Sequence, residues 1–68
     1  MLGTIRKIHE RGFGFISVDD DTSGRGDHWF HAKDLQGLVF GDDLRGQRVE
    51  FTSTTSLKGL VAVNVTAA

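Results

Sequence analysis

Two phenylalanines separated by one glycine, Phe13-Gly14-Phe15, lie within the stretch "RGFGFISV". In a strand, residues two apart point to the same face, so Phe13 and Phe15 share one face while Gly14, Ile16 and Val18 take the other. Ile16 and Val18 read as core. The stretch "DHWFH" repeats the pattern. With Phe30 inward, alternation turns Trp29 and His31 outward, beside the two phenylalanines. So much aromatic area on an outer surface marks a binding site. Flat rings beside Arg6, Lys7 and Arg11 suit unpaired bases: every base has a π-face, and the cations meet phosphates. A solvated surface is the competing reading of those three cations.

Other chemistry fares less well. His28 and His31 have a spacing that invites a metal, but on a strand they point to opposite faces. His28 falls on the side of Phe30, where it is expected to be partly buried and neutral, because desolvation disfavours the cation. "DDDTSG" opens like an EF-hand calcium loop, yet its twelfth position is Phe30 instead of Glu. "RGD" at Arg25 to Asp27 matters only in a secreted chain. "GFG" lacks the Gly-Lys-Ser/Thr ending of a phosphate loop. His9 beside Glu10 reads as a turn dipeptide with nothing to orient it. No nucleophile and base stand at a credible spacing, and the chain holds no Cys, which excludes thiolate metal sites and disulfides. The expectation is a binding protein with no metal or cofactor, not an enzyme.

The elements that must position these residues are short. A first strand runs from Leu2 to Ile8, with Ile5 inward and Arg6 and Ile8 outward under strict alternation. "HERG" is a turn and "FGFISV" the second strand. "DDDTSGRG" is a polar loop, and Asp27 to His31 a third strand. "AKDLQGLVFGDDLRG" is a long connection with one helical turn near Lys33 to Leu35. In "QRVEFTSTT", Val49 and Phe51 lie on one face and Arg48, Glu50 and Thr52 on the other. "SLKG" is a turn closed by Gly59. The last strand, "LVAVNVTA", is expected to place Val61, Val63 and Val65 on one face. Five strands in so short a chain predict an all-β, antiparallel barrel, which removes exposed edges by closing.

Composition agrees. The chain has 68 residues, with nine Gly and no Pro, enough for one small domain near the lower limit of a self-sufficient core. Abundant Val, Ile, Phe and Thr favour strands. Net charge is −1, so bulk charge does not advertise a nucleic-acid binder. With no apolar run near membrane-spanning length and no signal-peptide pattern, a cytoplasmic chain without membrane contact is expected.

Taken together, the two aromatic segments resemble a known family. "RGFGFI" resembles the first ribonucleoprotein motif of the cold-shock domain, commonly Lys-Gly-Phe-Gly-Phe-Ile. "DHWFH" is similar to the second, commonly Asp-Val-Phe-Val-His-Phe, and "GQRVEFTSTTSLKGLVAVNVT" looks like the closing hairpin. The resemblance spans nearly the whole chain. It implies a five-stranded OB-fold barrel that binds single-stranded RNA or DNA through Phe13, Phe15, Trp29 and His31. It also implies a role as RNA chaperone or as regulator of transcription or translation, often under cold stress. The chain departs from the family where Lys7 replaces Trp, Ile8 replaces Phe and Ala32 replaces Phe. His28 stands where Val or Ile is usual, and the loop after the second strand is longer. The binding surface read from the sequence is thus Arg6, Lys7, Ile8, Arg11, Phe13, Phe15, Trp29 and His31, in a monomer. The alternative is an OB-fold protein-interaction module whose reduced aromatic face has turned to a protein partner.

Overall fold

The first turn is set by Gly12, whose φ of +98° lies in the left-handed region that favours glycine. Its N–H donates to the His9 carbonyl at 3.0 Å. In the computed structural model, which describes residues 1–19, 27–57 and 59–68, this turn joins β1 (Leu2–His9) to β2 (Phe13–Val18). The remaining strands are β3 (His28–His31), β4 (Arg48–Ser56) and β5 (Gly59–Ala67). They close into a barrel in the order β1-β2-β3-β5-β4, with β4 returning to pair with β1. Every pairing is antiparallel except that of β3 with β5, where Trp29 lies opposite Val61. The all-β, five-stranded barrel expected from the sequence is the fold. The helical turn expected near Lys33 is a 3₁₀ turn, Ala32–Asp34, and a second one covers Asp42–Leu44. The acidic loop beyond Asp19, the calcium-like reading of it and most of the Arg-Gly-Asp triplet fall outside the described residues.

The core gathers one face of each strand. Ile5, Ile16, Phe30, Val49, Phe51, Ala62 and Val65 are buried together, and Leu44 joins them from the second 3₁₀ turn. Val18 and Ile8 pack against this cluster, as do Leu35, Leu38 and Phe40 of the long connection. His28 is the buried polar residue among those described, 3% exposed. Its Nε2 lies 2.7 Å from the Ser53 hydroxyl, and its ring is 5.1 Å from that of Phe51.

Strict alternation fails at two places, and a bulge explains each. Ile5 pairs with Ile16 but Lys7 pairs with Phe15, so Arg6 is an extra residue on β1. A bulge sets two residues against one and resets the facing of everything beyond it. Lys7 therefore joins the outer face. Ile8, expected outward, lies opposite Gly14 and packs against the core. On β5, Glu50 pairs with Thr66 and Thr52 with Val63, so one β4 residue faces two on β5. Asn64 absorbs the excess with a φ of +52°. Ala62 and Val65 are consequently the buried pair, instead of the expected trio Val61, Val63 and Val65, of which the first two are only half-buried.

Candidate nucleic-acid interface

Antiparallel pairing lines the outer residues of β1, β2 and β3 into rows. His9 lies opposite Phe13, and Phe13 opposite His31. One row further along, Lys7 lies opposite Phe15, and Phe15 opposite Trp29. Between the rows, Ile8, Gly14 and Phe30 face inward. The inward row brings the outer rings close to the barrel wall. A Cβ on Gly14 would fall 2.3 Å from the Lys7 carbonyl oxygen and 2.9 Å from the Phe30 ring. Only glycine leaves room for Phe30 to fill the barrel under β2.

The outer rings touch one another. Phe13 and Phe15 meet edge to face at 6.3 Å, and Phe13 lies 6.0 Å from Trp29 at an interplanar angle of 28°. Trp29 and His31 are 6.1 Å apart. Offset and edge-to-face arrangements at these separations are the favoured ones for π-systems. The rings of Phe13, Phe15, Trp29 and His31 are all half-buried, so each keeps exposed aromatic surface while packed well enough to hold its orientation. The four rings singled out in the sequence thus lie together on one surface.

Two histidines are fixed by backbone donors. The Arg11 N–H donates to Nδ1 of His9 at 3.2 Å, and the Lys33 N–H donates to Nδ1 of His31 at 3.1 Å. With Nδ1 accepting, the ring proton of each resides on Nε2. The Asp34 carboxylate accepts the His31 N–H, which completes a capping box on the first 3₁₀ turn. His9 also stacks on Phe13 at 4.6 Å with an interplanar angle of 9°. Of the dipeptide expected to lie in a turn with nothing to orient it, Glu10 is in the turn, whereas His9 ends β1 and is held by two contacts.

The cations fall in different places. Arg6 and Lys7 are exposed at the β1 bulge, and both line a hollow of about 240 Å³ with Ile8, His9, Phe13 and Phe15. Arg11 is exposed in the turn and is not part of that wall. Arg45, which sequence reasoning passed over, completes the wall from the end of the long connection. It had no local signal, because only the closed barrel brings residue 45 back beside residues 6 and 7. His9 was missed for a simpler cause: β1 runs one residue further than alternation and turn chemistry suggested.

The family model for the "cold-shock" DNA-binding domain matches residues 1–68. The chain belongs to the cold-shock domain family. The major cold shock protein of Micrococcus luteus is 36% identical over 66 residues, 96% of this chain and 94% of that protein. The cold shock-like protein CspC of Escherichia coli K12 is 41% identical over 66 residues, covering 96% and 91% of the two chains. A solved structure, drosophila Unr CSD456, superposes with a TM-score of 0.74 at 23% identity. It shares the fold over 98% of this chain, which spans 26% of that longer one. Within this cold-shock domain, the described residues contain no helix long and apolar enough to cross a membrane and no cluster of three or more metal-ligating side chains.

Proposed function

We propose that residues 1–68 act as one cytoplasmic, monomeric domain that binds single-stranded RNA or DNA with little sequence preference. The domain serves as an RNA chaperone or as a regulator of transcription or translation, and it acts by binding without catalysis. The observation that carries this reading is the contiguous array of Phe13, Phe15, Trp29 and His31 on adjacent strands, with Arg6 and Lys7 beside it. Aromatic rings stack on any base, and such contacts are worth about 1–3 kcal/mol per base. Membership of the cold-shock domain family supports the same reading. At Lys7, Ile8 and Ala32 the chain has no ring, so fewer bases stack and the affinity is weak to moderate.

Trp29 is the one tryptophan of the chain, which makes its fluorescence a direct report on the platform. Titration with oligo-dT or oligo-U is expected to quench it saturably. An unchanged signal up to high micromolar oligonucleotide would overturn the proposal and give the face to a protein partner.

A further inference from the structure

We infer that the outer edge of β4, from Thr52 to Ser56, is a self-association surface that pairs with the same edge of a second copy of this chain. The surface carries none of the platform rings, and its role goes beyond the binding proposed above. The first observation is that β4 outruns its cover. β1 pairs with β4 at Arg48, Val49 and Glu50, and the Phe51 N–H then donates to the Met1 carbonyl at 2.8 Å. Among the described residues no strand continues past Met1 on that side, while β5 accompanies β4 on the other side as far as Ser56. All five residues from Thr52 to Ser56 are exposed, so this half of the strand is open on both faces as well as along its edge.

The second observation is the direction of the backbone groups, which alternates along a strand. Those of Phe51 face β1, since its N–H donates to the Met1 carbonyl and its own carbonyl accepts from the Met1 amino group at 2.6 Å. The extra residue of the β4–β5 bulge lies on β5, so β4 itself stays regular. The N–H and C=O groups of Ser53 and Thr55 therefore aim the same way as those of Phe51, along the line that β1 leaves open. An open row of this kind is a template for another strand.

The edge fits itself. With two copies set antiparallel about Thr54, Ser53 of one lies opposite Thr55 of the other and the two exchange backbone hydrogen bonds. Two-fold symmetry repeats the exchange. Thr54 then meets its own counterpart, and Thr52 meets Ser56. Every cross-strand pair is hydroxyl against hydroxyl, a favourable class, and no like charges meet. The devices that guard an edge, charged side chains, proline or a bulge, are absent from Thr52 to Ser56. The same register carries the fully exposed Leu57 of each copy to the end of the other's β1, where Met1 and Leu2 are exposed. So short a contact falls well below the area of a stable complex, about 1,200 Å² or more. The association is therefore weak, in keeping with a chain that is monomeric when dilute.

The test is analytical ultracentrifugation of the free protein from micromolar to millimolar concentration. Wild type is expected to move from monomer toward dimer across that range. Thr54→Lys and Thr54→Glu each set like charges opposite one another at the two-fold axis, so each alone is expected to stay monomeric. An equimolar mixture of the two is expected to associate more tightly than wild type. Thr55→Pro, whose lost N–H faces only the open edge, is a second block that leaves the β4–β5 ladder intact. Thermal melting of each variant confirms that it is folded. Wild type that stays monomeric at millimolar concentration, single variants that associate as wild type does, or a mixture no more associated than its components would each overturn the edge pairing. Trp29 quenching by a short oligonucleotide in dilute protein reports the proposed function separately, since none of the platform rings lies on β4.

Discussion

Phe15 and Gly14 are neighbours in sequence and opposites in purpose. Phe15 faces outward between Lys7 and Trp29, so under the proposed function its ring serves a ligand surface more than the core. Phe15→Ala is expected to weaken single-strand binding by about 1–3 kcal/mol with only a small change in melting temperature. Parallel melting and titration separate the two effects. A stability loss typical of a core phenylalanine, with binding per folded molecule intact, would sink the platform. Gly14 faces inward, and its role is space. An added methyl group would meet a backbone carbonyl at 2.3 Å and the Phe30 ring at 2.9 Å. The carbonyl cannot move without breaking the β1–β2 ladder. Gly14→Ala is therefore expected to cost about 1–3 kcal/mol or more, measured by denaturant unfolding. A stability within experimental error of wild type would show that β2 can shift outward freely.

At the scale of the strands, alternation is a good guide until a bulge intervenes. The inward set Ile5, Ile16, Phe30, Val49 and Phe51 follows from period-two reading of the sequence, and so does the outward set Phe13, Phe15, Trp29 and His31. Ile8 and Ala62 do not, because an extra residue on one strand leaves no mark in polarity: Arg6 and Asn64 are ordinary polar residues at ordinary surface positions. What holds the strand ends together is equally hard to read. Arg48 at the start of β4 donates to both carboxylate oxygens of Asp19, just past β2, and to the Thr4 hydroxyl of β1 at 3.1 Å. Hydrogen bonds from the guanidinium hold the Asp19 carboxyl below its usual range. A depressed carboxyl pKa means that the unfolded chain takes up the proton first. The stabilisation is thus fully present above the unfolded value of about 3.9 and is lost as pH falls through the lower folded value. Asp19→Asn is expected to lower the melting temperature slightly at neutral pH, with the difference from wild type closing under strongly acidic conditions. Because both side chains are partly solvated, the difference should also shrink in about 1 M salt. A gap that widens on acidification would contradict the assignment.

For the molecule as a whole, net charge sets the character of binding. A protein with eight basic and nine acidic side chains has no net positive charge to strengthen the local cations. Among the described residues, Arg6, Lys7 and Arg45 line the hollow beside Phe13 and Phe15, and Arg11 is exposed in the turn. At about 0.7 per phosphate contact, the slope of log affinity against log salt is expected to lie near −2 to −3. A slope steeper than about −5 would require a basic surface larger than one copy of the chain supplies. Fold class was legible because strand-forming residues, glycine turns and alternating faces all agree, and local agreement of that kind is what specifies a fold. The convergence of residue 45 on residues 6 and 7 was not, because it depends on how the barrel closes, a long-range fact with no local sequence signature.

The seam between β3 and β5 gives the barrel an order of opening. β1, β2 and β3 follow one another by antiparallel pairing, and β4 and β5 form a hairpin. By contrast β3 meets β5 through a single parallel position, Trp29 against Val61, between segments far apart in the chain. Parallel pairing is slightly weaker per residue, and its closure carries the entropy of a long loop. Local opening should begin there, so the barrel breathes along one line while the meander that carries the rings stays folded. Amide hydrogen exchange is expected to be faster at 29–31 and 60–62 than in the middle of β1 and β2. A base stacked on Trp29 selects the closed form and should slow exchange on both sides of the seam, including β5, which carries none of the platform rings. Uniform exchange across all five strands would mean that the barrel opens only by unfolding altogether.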